Sequence, residues 1–125
     1  MPVRSLNSPV LRWPDAGVVH DTARAWAVEL TRRRGDVLGV AYIGSYARGD
    51  WGVGSDLDLV VVVEKSHEPF WKRASELDLG GFPVPTEGMV YTADEWRNLA
   101  NERGRFFQTV EQEGVWLYRA PRWEG

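Results

Sequence analysis

The segment from Gly44 to Glu64, GSYARGDWGVGSDLDLVVVVE, constrains the fold more than any other part of the chain. Its second half alternates aspartate with leucine and then runs through four consecutive valines at positions 60–63. A strand whose side chains are apolar on both faces is buried on both faces, which is typical of a strand at the centre of a sheet. We therefore expect a buried strand over residues 56–64, with its aspartates where the strand emerges from the core.

Asp56 and Asp58 are the candidate metal ligands of this strand. Successive side chains of a strand alternate between faces, so these two carboxylates share one face. Two adjacent carboxylates repel, and one tends to keep its proton unless a cation lies between them. A hard ion such as Mg²⁺ takes oxygen ligands and usually arrives with substrate phosphates. Taken without their surroundings, the two residues would be interpreted as an exposed acidic strand end.

The Gly44-Ser45 turn, which precedes the aspartates, supplies the complementary half of a phosphate site. Glycine lets the backbone approach a phosphate closely, and backbone N–H groups together with the Ser45 hydroxyl can bond its oxygens. Arg48 has two interpretations, since it could clamp a phosphate oxygen or pair with Asp50 and hold the loop. Ser55 could likewise contact phosphate or cap its own turn.

Together these residues resemble the signature of the DNA polymerase beta superfamily of nucleotidyltransferases. Within it they are most similar to the minimal nucleotidyltransferases, small members often encoded beside HEPN-domain partners. The resemblance implies an α/β (α+β) domain with a palm-like fold, in which a small mixed sheet of three to five strands is flanked by helices. The residues that carry it are Gly44, Ser45, Ala47, Arg48, Gly49, Ser55, Asp56 and Asp58.

A third carboxylate is expected, because phosphoryl transfer commonly uses two metal ions and two aspartates rarely hold both. The resemblance places this residue at the start of a later strand, which matches Glu87, where relatives usually carry aspartate. Glutamate is one methylene longer, and a misplacement of about 1 Å can cost about a hundredfold in rate. Asp78 is the competing candidate. The resemblance also implies two Mg²⁺ ions and ATP as the donor.

The acceptor is expected to come from another molecule, because the chain lacks the length for an acceptor domain. The resemblance implies a protein hydroxyl on a HEPN toxin, with this chain as the antitoxin that adenylylates it. The rival interpretation is a binding protein that neutralises a toxin without catalysis, and Glu87 in place of aspartate favours it. A small-molecule transferase would need a pocket formed by dimerisation. The oligomeric state stays open.

Composition narrows the class of protein. The 125 residues predict an N-terminal arm over residues 1–14 and a single domain over residues 15–125. A net charge of −3 argues against a long nucleic-acid partner, which usually demands a basic face. No apolar run is long enough for a membrane span, and the N-terminus does not resemble a secretory signal. With no cysteine, disulfides and thiolate zinc sites are excluded, and a cytoplasmic location is expected.

The other elements follow from helical periodicity, capping residues and glycine or proline breaks. Asp15 is expected to cap the first helix, and Thr92 with Glu95 forms a capping box. Trp71 and Leu77 are expected on the inner face of their helix. Predicted helices cover residues 16–34, 46–48, 70–77, 93–101 and 105–113, and predicted strands cover 37–43, 87–92 and, as a strand or extended tail, 115–118.

Two groups of side chains allow both a structural and a functional interpretation. The arginines at positions 32–34 are explained by the negative end of a helix dipole, with phosphate binding as the alternative. Trp13, Trp51, Trp116 and Trp123 lie outside well-patterned elements and could form an exposed partner surface, although core packing explains each one singly. Trp51 could also stack on a base.

Overall fold

The computed structural model describes residues 13–125. The arm predicted over residues 1–14 therefore lies almost entirely outside the described residues. Trp13 packs beside a core cluster that contains Tyr46. Within the described part of the chain, no helix is long and apolar enough to cross a membrane.

A four-stranded mixed sheet forms the centre of the molecule, which confirms the predicted fold class. The spatial order is β3-β2-β1-β4. Strand β1 is antiparallel to both β2 and β4, whereas β2 and β3 are parallel. The strands are β1 (Val37–Ile43), β2 (Leu57–Val63), β3 (Thr86–Thr92) and β4 (Val115–Arg119).

Strand β2 is buried on both faces, as its valine run predicts. Leu57 and all residues of 59–63 have 0% exposure. Asp58 is the one polar residue of the strand, and it is also the one residue of the strand that is partly exposed. Leu57 and Leu59 pack in a cluster with helix α1 (Ala16–Arg33). Val60 and Val62 pack on the opposite face with residues of α4 (Ala93–Glu102) and α5 (Arg105–Glu113). The Asp58 side chain points to the same face of the sheet as these two valines, because side chains two residues apart in a strand share a face.

Local capping fixes where the long helices begin. The Asp15 carboxylate accepts the Val18 N–H at 2.9 Å and caps α1. Thr92 and Glu95 form a complete capping box at the start of α4. Both caps are confirmed. At the other end of α1, the arginine triplet is held by neighbouring carboxylates, because Arg32 and Arg33 pair with Glu29 and Arg34 pairs with Asp36.

The helix predicted over residues 70–77 is shorter than expected. Helix α3 spans Phe70–Arg73 and passes into a single 3-10 turn, Ala74–Glu76. The expectation that Trp71 faces inward is wrong, since it is 79% exposed. Phe70 packs on Tyr91 and Arg73 is buried, and these positions, three apart, define the inner side of α3. Trp71 follows Phe70 by about 100° around the helix axis and therefore points outward.

The other tryptophans pack in the protein. Trp116 and Trp123 lie 5.6 Å apart, ring centre to ring centre, and both contact the buried Trp96. Trp51 stacks on Tyr46 with ring centres 5.6 Å apart and an interplanar angle of 11°. The core interpretation therefore accounts for these three side chains, and the stacking surface of Trp51 that faces Tyr46 is already in use.

Candidate functional site

The sheet register brings Asp58 and Glu87 together. Their Cα atoms are direct partners in the parallel pairing of β2 with β3. Paired residues of neighbouring strands lie about 4.8 Å apart and point to the same face. Asp56 lies two residues before Asp58, just outside the strand. These three carboxylates therefore occupy one edge of the sheet, at the end where β2 and β3 begin and β1 finishes.

The Asp58 carboxyl is partly buried and lies near two other carboxylates. Burial raises the pKa of the Asp58 carboxyl above its ordinary value, and the negative charges of Glu87 and then Asp56 raise it further. Each cause favours the neutral form of Asp58. A divalent ion at this position would reverse the balance, because it would stabilise all three ionised carboxylates.

The Gly44 turn lies directly against this carboxylate. Ile43, the last residue of β1, is the register partner of Asp58. Gly44 adopts φ 94° and ψ −161°, a conformation that is essentially restricted to glycine. A Cβ atom at this position would lie 3.1 Å from Asp58 Oδ2. The backbone conformation therefore requires glycine at position 44, and an added Cβ would also displace the Asp58 carboxylate.

Helix α2 (Ser45–Arg48) presents Ser45 at its first position. The helix is held in place from the side opposite to the carboxylates, since the Tyr46 hydroxyl donates to the Pro14 carbonyl at 3.0 Å and its ring stacks on Trp51. The amides of Ala47 and Arg48 both donate to the Gly44 carbonyl at 3.0 Å. The bend from β1 into α2 is thus a fixed scaffold beside Asp58.

Arg48 and Ser55 each have a structural partner. Arg48 Nε donates to Asp50 at 3.2 Å, and its guanidinium also lies 3.8 Å from Glu113 of α5. The hydrogen bond to Asp50 raises the pKa of Arg48. The Ser55 hydroxyl accepts the Gly52 N–H at 2.8 Å and so caps its own turn. Exposed ion pairs contribute little stability, so Arg48 can exchange partners at small cost.

Asp78, the competing third carboxylate, is engaged elsewhere. Its side chain accepts the Gly80 N–H at 3.3 Å, and its carbonyl accepts the Trp26 indole N–H at 2.8 Å. It follows the 3-10 turn rather than lying in a strand. The register that places Glu87 opposite Asp58 therefore favours Glu87 over Asp78.

The carboxylates of Asp56, Asp58 and Glu87 are ligands of the type that a hard cation prefers, but they do not form a complete coordination site by themselves. Among residues 13–125, no group of three histidine, cysteine, aspartate or glutamate side chains is already arranged to hold a metal ion. All the candidate ligands are carboxylates, and Mg²⁺ is typically bound by one or two protein carboxylates together with substrate phosphates and waters. Asp56, Asp58 and Glu87 are donors of this kind, of which one or two would hold an ion together with substrate phosphates.

Sequence reasoning missed Arg73, which anchors the strand that carries Glu87. Its guanidinium donates to the Val90 carbonyl at 3.0 Å and to both carboxylate oxygens of Glu95 at 2.6 and 3.0 Å. It thereby fastens α3 to β3 and α4. No signal in the sequence could have identified it, because a four-residue helix carries no periodicity.

The sequence of residues 25–112 matches the family model described as the nucleotidyltransferase domain. This chain belongs to the nucleotidyltransferase domain family. The match spans both halves of the candidate site, from the Gly44 turn to Glu87, and it agrees with the resemblance to the minimal nucleotidyltransferases. No curated protein matches the sequence of this nucleotidyltransferase.

Solved structures share the fold of this nucleotidyltransferase at low sequence identity. A Sulfolobus solfataricus protein described as a candidate nucleotidyltransferase has a TM-score of 0.61 and 17% identity, with 86% of each chain covered. A toxin–antitoxin structure with AMP-PNP has a TM-score of 0.53 and 16% identity, over 79% of this chain and 75% of the other. A mutant of the toxin–antitoxin pair MntA-HpeT has a TM-score of 0.52 and 14% identity, with the same coverage.

Proposed function

We propose that this nucleotidyltransferase moves AMP from ATP to a hydroxyl group on a partner protein of the HEPN type, as the antitoxin of a toxin–antitoxin pair. The observation that carries the proposal is the meeting of Asp58, Glu87 and the Gly44 turn at one sheet edge, in a chain of this family. A phosphate-binding bend and an acidic edge within contact distance are what the reaction needs.

The residues have separate roles in the proposed reaction. Gly44 and Ser45 hold the triphosphate through the backbone of the bend and the serine hydroxyl. Asp56, Asp58 and Glu87 hold Mg²⁺, in our proposal two ions, which would neutralise charge on the phosphates when bound. The acceptor oxygen forms a bond to the α-phosphorus, the bond from the α-phosphorus to the bridging oxygen breaks, and pyrophosphate leaves. Glu87 takes the proton of the acceptor hydroxyl.

Structural neighbours support a protein acceptor and a nucleotide donor. Two of them are toxin–antitoxin structures, and one of these contains AMP-PNP. The MntA-HpeT mutant changes two aspartates that are two positions apart to glutamate. Asp56 and Asp58 have the same spacing in this chain. The spacing supports the assignment of these two residues as the central metal ligands.

Glu87 supports a second candidate function. Its extra methylene shifts the carboxylate relative to an aspartate at the same register position, and such a shift can cost about a hundredfold in rate. A chain with that loss would still fold and could neutralise a toxin by covering it. The rival is therefore a binding protein with weak or absent transferase activity.

Labelled ATP separates the two functions. The purified chain is incubated with Mg²⁺, ATP labelled on the α-phosphate, and the protein encoded by the neighbouring gene. For the enzyme, label moves to the partner protein, and Asp58→Asn abolishes transfer while the complex still forms. Asp21→Asn is the matched control, because Asp21 is an exposed aspartate on α1. A tight complex without transfer in the unmodified chain would favour the binding protein.

A further inference from the structure

Glu113, the last residue of α5, lies at the same end of the sheet as the candidate site. Helix α5 packs through Phe107 and Val110 on the face of the sheet to which Asp58 points. Strand β4 begins two residues after Glu113, and its first residue is the register partner of Tyr42, next to the end of β1. The Glu113 side chain therefore borders the candidate site, although the sequence pattern does not single it out.

One oxygen of the Glu113 carboxylate is buried and lacks a hydrogen bond. Within residues 13–125, Glu113 Oε1 has no hydrogen-bond partner. The Arg48 guanidinium lies 3.8 Å from this oxygen, which is about 1 Å beyond the length of a charge-assisted hydrogen bond. A buried carboxylate oxygen without a donor costs free energy. A small movement of the Arg48 side chain would remove that cost by completing the bond.

Arg48 lies on the side of α2 that faces the candidate site. It is the one basic residue between Arg34 and Lys65, a segment that includes both the Gly44 turn and the two aspartates. Tyr46 packs in the cluster on the opposite face of the sheet, whereas Arg48 contacts α5. Residues three apart on a helix are neighbours, so Arg48 lies on the same side of α2 as Ser45.

Two carboxylates orient the Arg48 guanidinium and leave part of it open. A guanidinium has five N–H donors in a rigid plane. Asp50 accepts from Nε at 3.2 Å, and Glu113 lies 3.8 Å from Nη1. Contacts at two different nitrogens define the orientation of the plane. The Nη2 group takes part in neither contact, so its two N–H groups can bind phosphate oxygens.

We propose that Glu113 is a positioning residue for nucleotide binding, because it holds the Arg48 guanidinium with Nη2 directed at the triphosphate of the donor. Glu113 itself does not contact the nucleotide. Without Glu113, Arg48 keeps its bond to Asp50 but gains rotational freedom, and ordering it again on binding costs affinity. This inference rests on the proposed function for the identity of the donor.

A double-mutant cycle on nucleotide binding tests this role. The full chain is titrated in a calorimeter with a non-hydrolysable ATP analogue and Mg²⁺, so neither a partner protein nor turnover is needed. The variants are Arg48→Gln, Glu113→Ala, their combination, and Glu113→Gln, which keeps the shape of the side chain and one acceptor oxygen. Glu111→Ala is the matched control, since Glu111 is an exposed glutamate two positions earlier on α5. Arg32→Gln controls for the loss of a positive charge, because Arg32 forms an exposed pair with Glu29.

The expected result is a loss of affinity that depends on Arg48. Arg48→Gln weakens binding by about tenfold, as loss of a hydrogen bond to a charged group predicts. Glu113→Ala weakens it by about fivefold, within the range of coupling between residues in contact, and Glu113→Gln weakens it less. The double variant binds no more weakly than Arg48→Gln alone, and both controls bind as the unmodified chain does.

A purely structural role for Glu113 predicts a different cycle, in which its removal weakens binding equally with and without Arg48. That outcome, or unchanged binding by Glu113→Ala, would overturn the positioning role while the proposed function stands. If the unmodified chain bound no nucleotide, the proposed function would fail together with this inference. Circular dichroism verifies that each variant is folded, and Glu113→Gln carries the same test if the alanine variant is not.

Discussion

Replacement of Gly44 by alanine tests the central feature of the candidate site. The position has φ 94° and ψ −161°, where a non-glycine residue costs about 1–3 kcal/mol. The added Cβ would also lie 3.1 Å from Asp58 Oδ2, so the carboxylate must move by a few tenths of an ångström. We therefore expect Gly44→Ala to lower the free energy of unfolding by about 3 kcal/mol, at the upper end of that range.

Gly49→Ala is the matched control for this substitution. Gly49 lies at the other end of α2 with φ 91° and ψ 6°, in the left-handed region. A Cβ there would meet no atom within 4 Å. Its expected cost is about 1 kcal/mol of backbone strain alone. The difference of about 2 kcal/mol between the two variants, taken from these two costs, measures the special conformation of Gly44 and its contact with Asp58.

Denaturation and ligand titration measure the effects of the two substitutions. Urea denaturation gives the free energy of unfolding of each variant, and thermal denaturation provides a second readout. Calorimetric titration with Mg²⁺ and a non-hydrolysable ATP analogue then reports on the site. We expect Gly44→Ala to lose nucleotide binding and Gly49→Ala to retain it. If the two variants were equally stable and bound nucleotide equally, the assignment of Gly44 to the site would be refuted.

Four further substitutions test the electrostatics of the site and the packing of the core. The raised pKa of Asp58 means that the folded state holds this proton more tightly than the unfolded chain, so the residue destabilises the fold as pH rises above the ordinary aspartate range. Without metal, Asp58→Asn should therefore raise the thermal midpoint at pH 7 but not near pH 3, as thermal scans at the two pH values would reveal. Arg73→Met leaves the half-buried Glu95 without its partner and should cost about 2–4 kcal/mol in urea denaturation, below the full value for a buried pair because Glu95 is 40% exposed. Since Arg73 lowers the pKa of Glu95, this contribution is present at neutral pH and is lost as pH falls through the folded-state pKa of Glu95. Trp71→Ala should change the free energy of unfolding by less than about 0.5 kcal/mol, whereas Trp96→Ala, at a position only 3% exposed, should cost about 3–5 kcal/mol in the same assay.

Helix caps and the central strand could be read from the sequence because their causes are local. Asp15 caps α1 through a residue three positions away, and the Thr92 and Glu95 box closes over the same short span. The valine run of β2 indicates burial on both faces without reference to any partner. Because side chains alternate along an extended chain, the spacing of Asp56 and Asp58 predicts that they share a face, and the structure places Asp56 just before the first residue of β2.

The contacts between distant segments could not be read in this way. Nothing in the local pattern states that Arg73 is buried against Glu95, 22 residues away. The exposure of Trp71 is equally invisible, because its amphipathic pattern suits an inward position as well as an outward one. In both cases the packing of the four-residue helix α3 against β3 determines which side chain is buried and which is exposed.

The sequence by itself determined the residue types of the candidate site and the two segments that carry them, since each segment follows the chemistry of a single strand or turn. The tertiary structure decided which third carboxylate joins them, because Glu87 lies 29 positions beyond Asp58 and meets it only through the parallel register of β2 and β3. It also placed Gly44 so close to Asp58 that a Cβ added at Gly44 would lie 3.1 Å from Asp58 Oδ2. The pairing of distant strands depends on which face of each strand is buried in the core, and no short stretch of sequence encodes it.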